Sequence, residues 1–200
     1  MATRFYIAPD PAFAELQTSL GERLARLGAG VHAAEFGALL DPLMRQTLQK
    51  GFDDAGAHEG TVWLLDESGE NLEPAFNTGP DAEKFVGKFK QPLASGLICM
   101  VFATQQPFLE NDVAVNQKQS KLLDASLRVE TRSMIAVPFH FLRDCRGVIS
   151  CVQLKRAGAA DADAPGFTPA SLAGVQCAAS LLSRLLEFRL LAQVVGWNGE

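Results

Sequence analysis

Residues 112–154 read DVAVNQKQSKLLDASLRVETRSMIAVPFHFLRDCRGVISCVQL, and this stretch decides the fold. A polar, then amphipathic segment leads into Thr131-Arg132-Ser133. Two almost wholly apolar runs follow, residues 134–139 and 148–154, flanking Asp144, Cys145, Arg146 and Gly147. Two such runs around a polar, glycine-containing turn predict a buried β-hairpin. Met134 and Phe139 belong to the first run, and Gln153 interrupts the second.

Upstream, Phe13, Leu16, Leu20, Leu24 and Leu27 recur at helical spacing behind Pro11, and Gly28 and Gly30 end the pattern. A second helical pattern carries Phe36, Leu39, Leu40, Leu43, Met44, Leu48 and Phe52. Asp41-Pro42 interrupts it, with Asp suited to an N-cap and Pro to a first helical position. Residues 61–66 are rich in β-formers and enter a polar turn over 67–71, from which residues 72–77 return as a partner strand. Phe85, Gly87 and Phe89 alternate with Val86, Lys88 and Lys90, which predicts a third, half-exposed strand. Ser95 is the expected cap of a short apolar helix holding Ile98 and Val101. The segment 105–117, with Pro107, Asn111, Asp112 and Asn116, predicts a long loop, and a helix is expected over 120–127.

Downstream, residues 157–165 are Ala-, Asp- and Gly-rich and read as a flexible surface loop. Thr168-Pro169 then caps a helix reaching about residue 195, roughly 40 Å at 1.5 Å per residue. Leu182, Leu186, Leu190 and Val194 form one apolar stripe; Leu181, Leu185, Phe188, Ala192 and Val195 form another. One stripe packs on the sheet. The other is covered either by a second copy of the chain, as its alternating spacings of four and three suggest, or by the helix over 11–27. The order of elements argues α+β, a central antiparallel sheet with terminal helices on one face. The expected division is a helical extension over 1–30 and a single domain over 31–197.

Bulk properties narrow the function. A net charge of −5 and a pI near 5.3 exclude a concentrated basic surface of the kind nucleic acid requires. The first residues show no basic region followed by an apolar core, and no window approaches the ~18 apolar residues of a membrane span. A cytoplasmic protein is expected. Cys99, Cys145, Cys151 and Cys177 form no C-x-x-C pair, and His32, His58 and His140 share no short spacing, so neither a metal nor a haem site is expected. There is no G-x-S-x-G elbow, phosphate-cradling glycine loop or H-E-x-x-H helix.

The succession of motifs resembles the GAF domain, a small-molecule sensor module of signalling proteins. Trp63-Leu64-Leu65-Asp66-Glu67 with Gly69 looks like the family's first strand and acidic turn. Ser95-Gly96-Leu97-Ile98, followed by Gln106-Pro107, is similar to its glycine-started helix. Asp112-Val113, Asn116, Asp124 and Thr131-Arg132-Ser133 resemble the ligand-covering region in the GAF domains of cyclic-nucleotide phosphodiesterases and cyclases, and residues 147–152 its penultimate core strand. The resemblance implies a sheet of about six antiparallel strands, with terminal helices on one face and short helices and loops on the other. The implied function is regulatory: a small molecule held over the sheet, and a signal passed through a helical homodimer.

One departure bears on the ligand. Cyclic-nucleotide-binding members carry Asn-Lys at the end of the penultimate strand, with an Asp further on. Here Gln153 and Leu154 stand there, and Lys155 is displaced by one position, which in a strand turns a side chain to the other face. The ligand is therefore left unassigned. Some GAF-like enzymes reduce free methionine sulfoxide with cysteines near the glycine-started helix and just before the hairpin; Cys99 lies near the first region and residues 122–132 hold no cysteine. No cysteine stands beside a histidine, as bilin attachment would need.

By this resemblance the ligand wall comprises Trp63, Phe89, Ile98, Val101, Met134 and Phe139, an apolar and aromatic lining of the usual small-molecule kind. Asp112, Asn116, Arg132 and Gln153 are the polar candidates. Each also has a plain alternative. The apolar residues suit an ordinary core, the Asx residues suit local turn bonding, and Arg132 suits an ion pair with Asp112, Asp124 or Glu130. If the bulky wall residues fill the space themselves, the domain is a ligand-free interaction module.

Overall fold

The computed structural model describes residues 10–142, 144–156 and 164–197, without the Arg156 side chain. In chain order the elements are α1 (Ala14–Ala29), α2 (Ala33–Leu39), α3 (Pro42–Ala55), β1 (Glu59–Leu65), β2 (Asn71–Asn77), α4 (Ala82–Phe85), β3 (Gln91–Pro92), α5 (Leu97–Thr104), β4 (Phe108–Glu110), α6 (Leu122–Leu127), β5 (Val129–Phe141), β6 (Asp144–Arg156) and α7 (Pro169–Val195). The six strands form one sheet in the order β3-β2-β1-β6-β5-β4, every pair antiparallel.

Strand parity sorts the side chains into two cores. Facing the helices α2, α3 and α7, the sheet presents Val62, Leu64, Ile135, Val137, Phe139, Ile149 and Cys151, packed against Phe36, Leu48, Phe52, Leu182 and Leu186. The other face presents Trp63, Leu72, Met134, Ala136 and Val148 to Leu97, Ile98 and Val101 of α5 and to Val113. The α+β architecture, its six antiparallel strands and the segregation of helices match the expectation.

The β5–β6 hairpin is longer than its apolar runs. Phe141 pairs with Asp144, so the chain reverses just after Leu142, whose φ is 51°. The expected turn at Asp144, Cys145, Arg146 and Gly147 is instead part of β6. Burial accounts for the extension: Phe141 packs in the helix-side core and Leu142 reaches Gly28, where an added Cβ would stand 2.6 Å from Leu142 Cδ1. Cys145, expected in an exposed turn, is half-buried in the strand. Two register shifts, around Arg132 and Arg146, keep the ladder in pairing.

Three other expectations are corrected. Residues 85–90 do not form a strand; α4 and a turn precede a two-residue β3, because Gly87 adopts φ 67° and the N–H groups of Val86, Lys88 and Phe89 bond locally to Ala82 and Phe85. Ser95 does not cap α5. Gly96 holds that position at φ 102°, a conformation that favours glycine. The segment expected as loop contains β4 and a 3-10 turn, Val113–Val115. The expected surface loop over 157–165 lies largely outside the described residues.

Elsewhere local sequence and structure agree. Asp41 caps α3 by accepting from Met44 N–H at 2.9 Å, with Pro42 at the first position. Thr168 caps α7 by accepting from Ser171 N–H at 3.1 Å. On α7, Leu182, Leu186 and Leu190 are buried, while Leu181 (46%), Phe188 (58%) and Val195 (54%) remain exposed. Helix α1 lies against α7 through Leu24 and leaves Phe13 and Leu16 exposed. No helix among the described residues is long and apolar enough to cross a membrane.

Candidate ligand-binding site

Between the sheet face opposite α7 and the pair α5 and α6 lies a cavity of about 60 Å³. Its floor is Thr61 and Trp63 of β1, Thr131 and Met134 of β5, and Ser150, Val152 and Leu154 of β6. The register makes this floor continuous, since Met134 stands opposite Val152 and Thr61 opposite Ser150. Leu97 and Ile98 of α5, Leu123, Asp124 and Leu127 of α6, and Gln119 and Ser120 of the connector form the roof, with Glu59 and Gln91 at the sides.

The polar groups are held by their neighbours. Trp63 Nε1–H donates to Ser150 Oγ at 2.9 Å across β1 and β6. Asp124 accepts from the Thr131 backbone N–H at 2.9 Å and from Thr131 Oγ1 at 2.8 Å, which ties α6 to the start of β5. Gln91, 3% exposed, donates from Nε2 to the carbonyls of Ser95 and Pro92, at 2.9 and 3.3 Å. Thr61 Oγ1 accepts from Asn77 Nδ2 at 2.9 Å. Among the described residues no group of His, Cys, Asp and Glu could hold a metal ion.

Of the ten residues singled out from sequence, Trp63, Ile98 and Met134 line this cavity. Val101 and Phe89 support it from behind; Val101 is fully buried, and Phe89 meets Trp63 edge-on at 6.2 Å between ring centroids. Phe139 is on the opposite face, edge-on to Phe36 at 6.2 Å. Gln153 is also on that face, where its side chain donates to Gly56 O at 2.9 Å and accepts from Gly166 N–H at 3.1 Å. Both displacements follow from parity: with Met134 in the floor, odd-numbered Phe139 and Gln153 pair into the helix-facing row.

The loop candidates also lie off the cavity. Asn116 bonds its own turn, donating to Glu110 Oε2 at 3.4 Å and accepting from Lys118 N–H at 3.0 Å. The Asp112 N–H is directed to Glu110 Oε1 at 3.0 Å. Arg132, at the register shift, pairs with Glu130 at 2.9 Å. The loop residue that does reach across is Asn111, which bonds Phe167 N–H and C=O at 2.7 and 2.9 Å and so ties the connector to the start of α7. Sequence reading missed Glu59, Thr61 and Gln91 as lining residues, whereas Thr131, in the expected ligand-covering region, and Ser150, a polar interruption of the hairpin, do line the cavity. Alternation from Trp63 and Met134 is the signal that finds Thr61 and Ser150; nothing local marks Gln91, brought in by a two-residue strand.

Three of the cysteines are disfavoured as thiolates by burial. Burial pushes the Cys99 thiol up to about 11 and the Cys151 thiol up to about 12. Burial also raises Cys145.

A curled antiparallel sheet with a chamber roofed by short helices on one face and long terminal helices on the other defines the class of this α+β domain. The GAF domain family model matches residues 39–186, and the chain belongs to that family. Solved structures agree on the fold. The GAF domain of a phosphoenolpyruvate-protein phosphotransferase from Acinetobacter superposes with a TM-score of 0.57 at 16% identity, covering 90% of this chain and 97% of that one. A methyl-accepting chemotaxis protein segment gives 0.56 at 15% identity, covering 88% and 98%. A type II free methionine-R-sulfoxide reductase from Thermoplasma acidophilum gives 0.54 at 19% identity, covering 73% and 91%. At these identities the likeness speaks for the fold alone. No curated protein matches the chain.

Proposed function

We propose that this chain is a regulatory GAF domain that binds a small molecule in the chamber beneath α5 and α6 and signals through a homodimer of its terminal helices. The observation that carries this reading is the chamber itself: an apolar floor and roof with buried polar groups converging on one space. The roof element α6 is anchored chiefly through Asp124 and Thr131, so an occupant that moves it biases β5, which packs on α7. Thermal melts against a panel of metabolites and cyclic nucleotides test the reading: a stabiliser whose effect is lost on Ile98→Trp supports it, and a flat panel counts against ligand sensing.

The dimer follows from α7. Cys177, Leu181, Phe188 and Val195 lie exposed along one stripe, beside Phe13 and Leu16 of the N-terminal segment. In a parallel pairing Cys177 meets its counterpart, so mild oxidation yields a covalent dimer on non-reducing gels, abolished by Cys177→Ser; a monomer by sedimentation at tens of micromolar refutes the pairing. We retain the division into an N-terminal helical extension, expected over 1–30 with 1–9 outside the described residues, and a sensor domain over 31–197, working without catalysis in the cytoplasm. The buried, hard-to-ionise thiols favour a non-catalytic role over methionine sulfoxide reduction. The modest cavity supports a second reading, a ligand-free interaction module whose chamber is closed by Trp63 and Met134.

A further inference from the structure

Outside the chamber, the connector over residues 117–122 and the outer side of α5 enclose a groove of about 670 Å³. That is within the range of small-molecule sites, roughly 300–1,000 Å³. Gly96, Gln119 and Ser120 stand between the two spaces and line both.

The groove has an apolar wall. Leu93 precedes α5, Met100 and Ala103 share one face of that helix by their spacing, and Leu122 opens α6 opposite them. Leu93 and Met100 pack only in part on the chamber-side core, and Leu122 is 56% exposed, so each keeps apolar surface in water.

The rim carries charge of one sign. Lys118 and Lys121 line the groove, and no Asp or Glu does so among the described residues. This runs against the chain as a whole, which holds 23 Asp and Glu to 18 Lys and Arg. Neither ammonium group forms an ion pair among the described residues. Asp124, one helical turn beyond Lys121, directs its carboxylate to Thr131 instead. Local bonds fix the backbone that presents the two lysines: Lys118 N–H donates to Asn116 Oδ1 at 3.0 Å, and Lys121 accepts from Ala125 N–H as α6 begins. The start of α5 at Gly96 has no side-chain cap, so the positive end of that helix adds to the same potential.

We propose that this groove binds an amphiphilic carboxylate, its acyl chain lying along Leu93, Met100 and Leu122 and its head group held by Lys118 and Lys121. The chain removes apolar surface from water. The head meets two cations at an exposed rim, where neither partner has to be fully desolvated. The site is separate from the chamber and does not depend on the chamber being occupied.

Isothermal titration calorimetry with decanoate, octanoate, decylammonium and acetate, all below micelle formation, tests the assignment. Decanoate binds at about millimolar concentration or tighter, a modest efficiency for its size. Octanoate is about fourfold to fifteenfold weaker, for two methylenes half or fully buried, and acetate gives no saturable heat. Decylammonium binds more weakly than decanoate, although a chain of net charge −5 attracts cations overall. Lys118→Glu combined with Lys121→Glu lowers decanoate affinity about tenfold and removes its advantage over decylammonium. Leu122→Asn weakens both long chains and keeps the order of the head groups. All three positions are exposed, and circular dichroism checks the fold. The proposal is overturned if decanoate gives no saturable heat, or if decylammonium binds as tightly as decanoate. It is also overturned if both variants bind decanoate as the parent does, which places the chain on another apolar surface such as Phe13 and Leu16. A charge reversal that changes the sedimentation of the ligand-free protein overturns it too, by making the groove a contact between copies.

Discussion

Asp124 and Thr131 are joined twice, through the backbone N–H at 2.9 Å and the hydroxyl at 2.8 Å. This pair holds the six-residue helix α6 over the chamber, for α6 itself has no buried residue. A helix that short is not stable on its own propensity, so its position depends on this carboxylate and on the apolar roof.

Removing the hydroxyl tests that dependence. Thr131→Val keeps the shape and the backbone bond but deletes one donor to a charged acceptor. The expected loss is about 2 kcal/mol in urea unfolding. Amide exchange over residues 122–127 should rise more than elsewhere. A uniform change across the domain would refute a local anchoring role.

Phe139 and Met134 separate stability from binding. Phe139 is fully buried against Phe36 on the helix side, and Phe139→Ala should cost about 3–5 kcal/mol. At a temperature where the variant stays folded, ligand affinity should be nearly unchanged. Met134→Ala enlarges the chamber and should change affinity. The reverse pattern would mean that the sheet faces are misassigned.

Gln153 is a structural clamp. It joins Gly56 at the end of α3 to Gly166 ahead of α7. Gln153→Leu leaves a carbonyl and an N–H without that partner and should lower stability by about 1–3 kcal/mol. Calorimetric melts measure this, and any ligand found for the chamber should bind the folded variant as it binds the parent.

Asp66 introduces a dependence on pH. Burial alone would raise its carboxyl pKa, but hydrogen bonds from the Asn71 and Ser68 side chains and from the N–H groups of Asn71 and Glu70 outweigh it and hold the group well below the usual carboxylate range. Lys90 lies 3.5 Å from the same carboxylate. The folded pKa is therefore below the unfolded one. The group's contribution is fully present above about pH 5 and is lost as pH falls below about 4. Asp66→Asn should be less stable than the parent at pH 7, with the gap in melting temperature narrowing between pH 5 and 3; a constant gap would refute the linkage.

Much of this molecule was legible in residue order. The caps at Asp41 and Thr168, the pairing of the 61–66 and 72–77 segments, the hairpin and the long final helix depend on local chemistry and show in local sequence. The site was less legible. Trp63, Ile98 and Met134 could be placed because they sit in strongly patterned strands and an apolar helix. Phe139 and Gln153 were assigned to the wrong face because the expectation took the apolar run as a whole and did not count alternation from Met134. The alternation of residues 85–90 imitated a strand, although Gly87 and local hydrogen bonds make a turn there.

The sequence by itself determined the α+β class, the two-faced hairpin and the GAF kinship, since periodicity, turn residues and motif order are properties of neighbours along the chain. Only the tertiary structure decided which polar groups meet. Gln91, Asp124, Thr131 and Ser150 come from separate elements, and their hydrogen bonds depend on distances of about 3 Å that no one-dimensional pattern encodes.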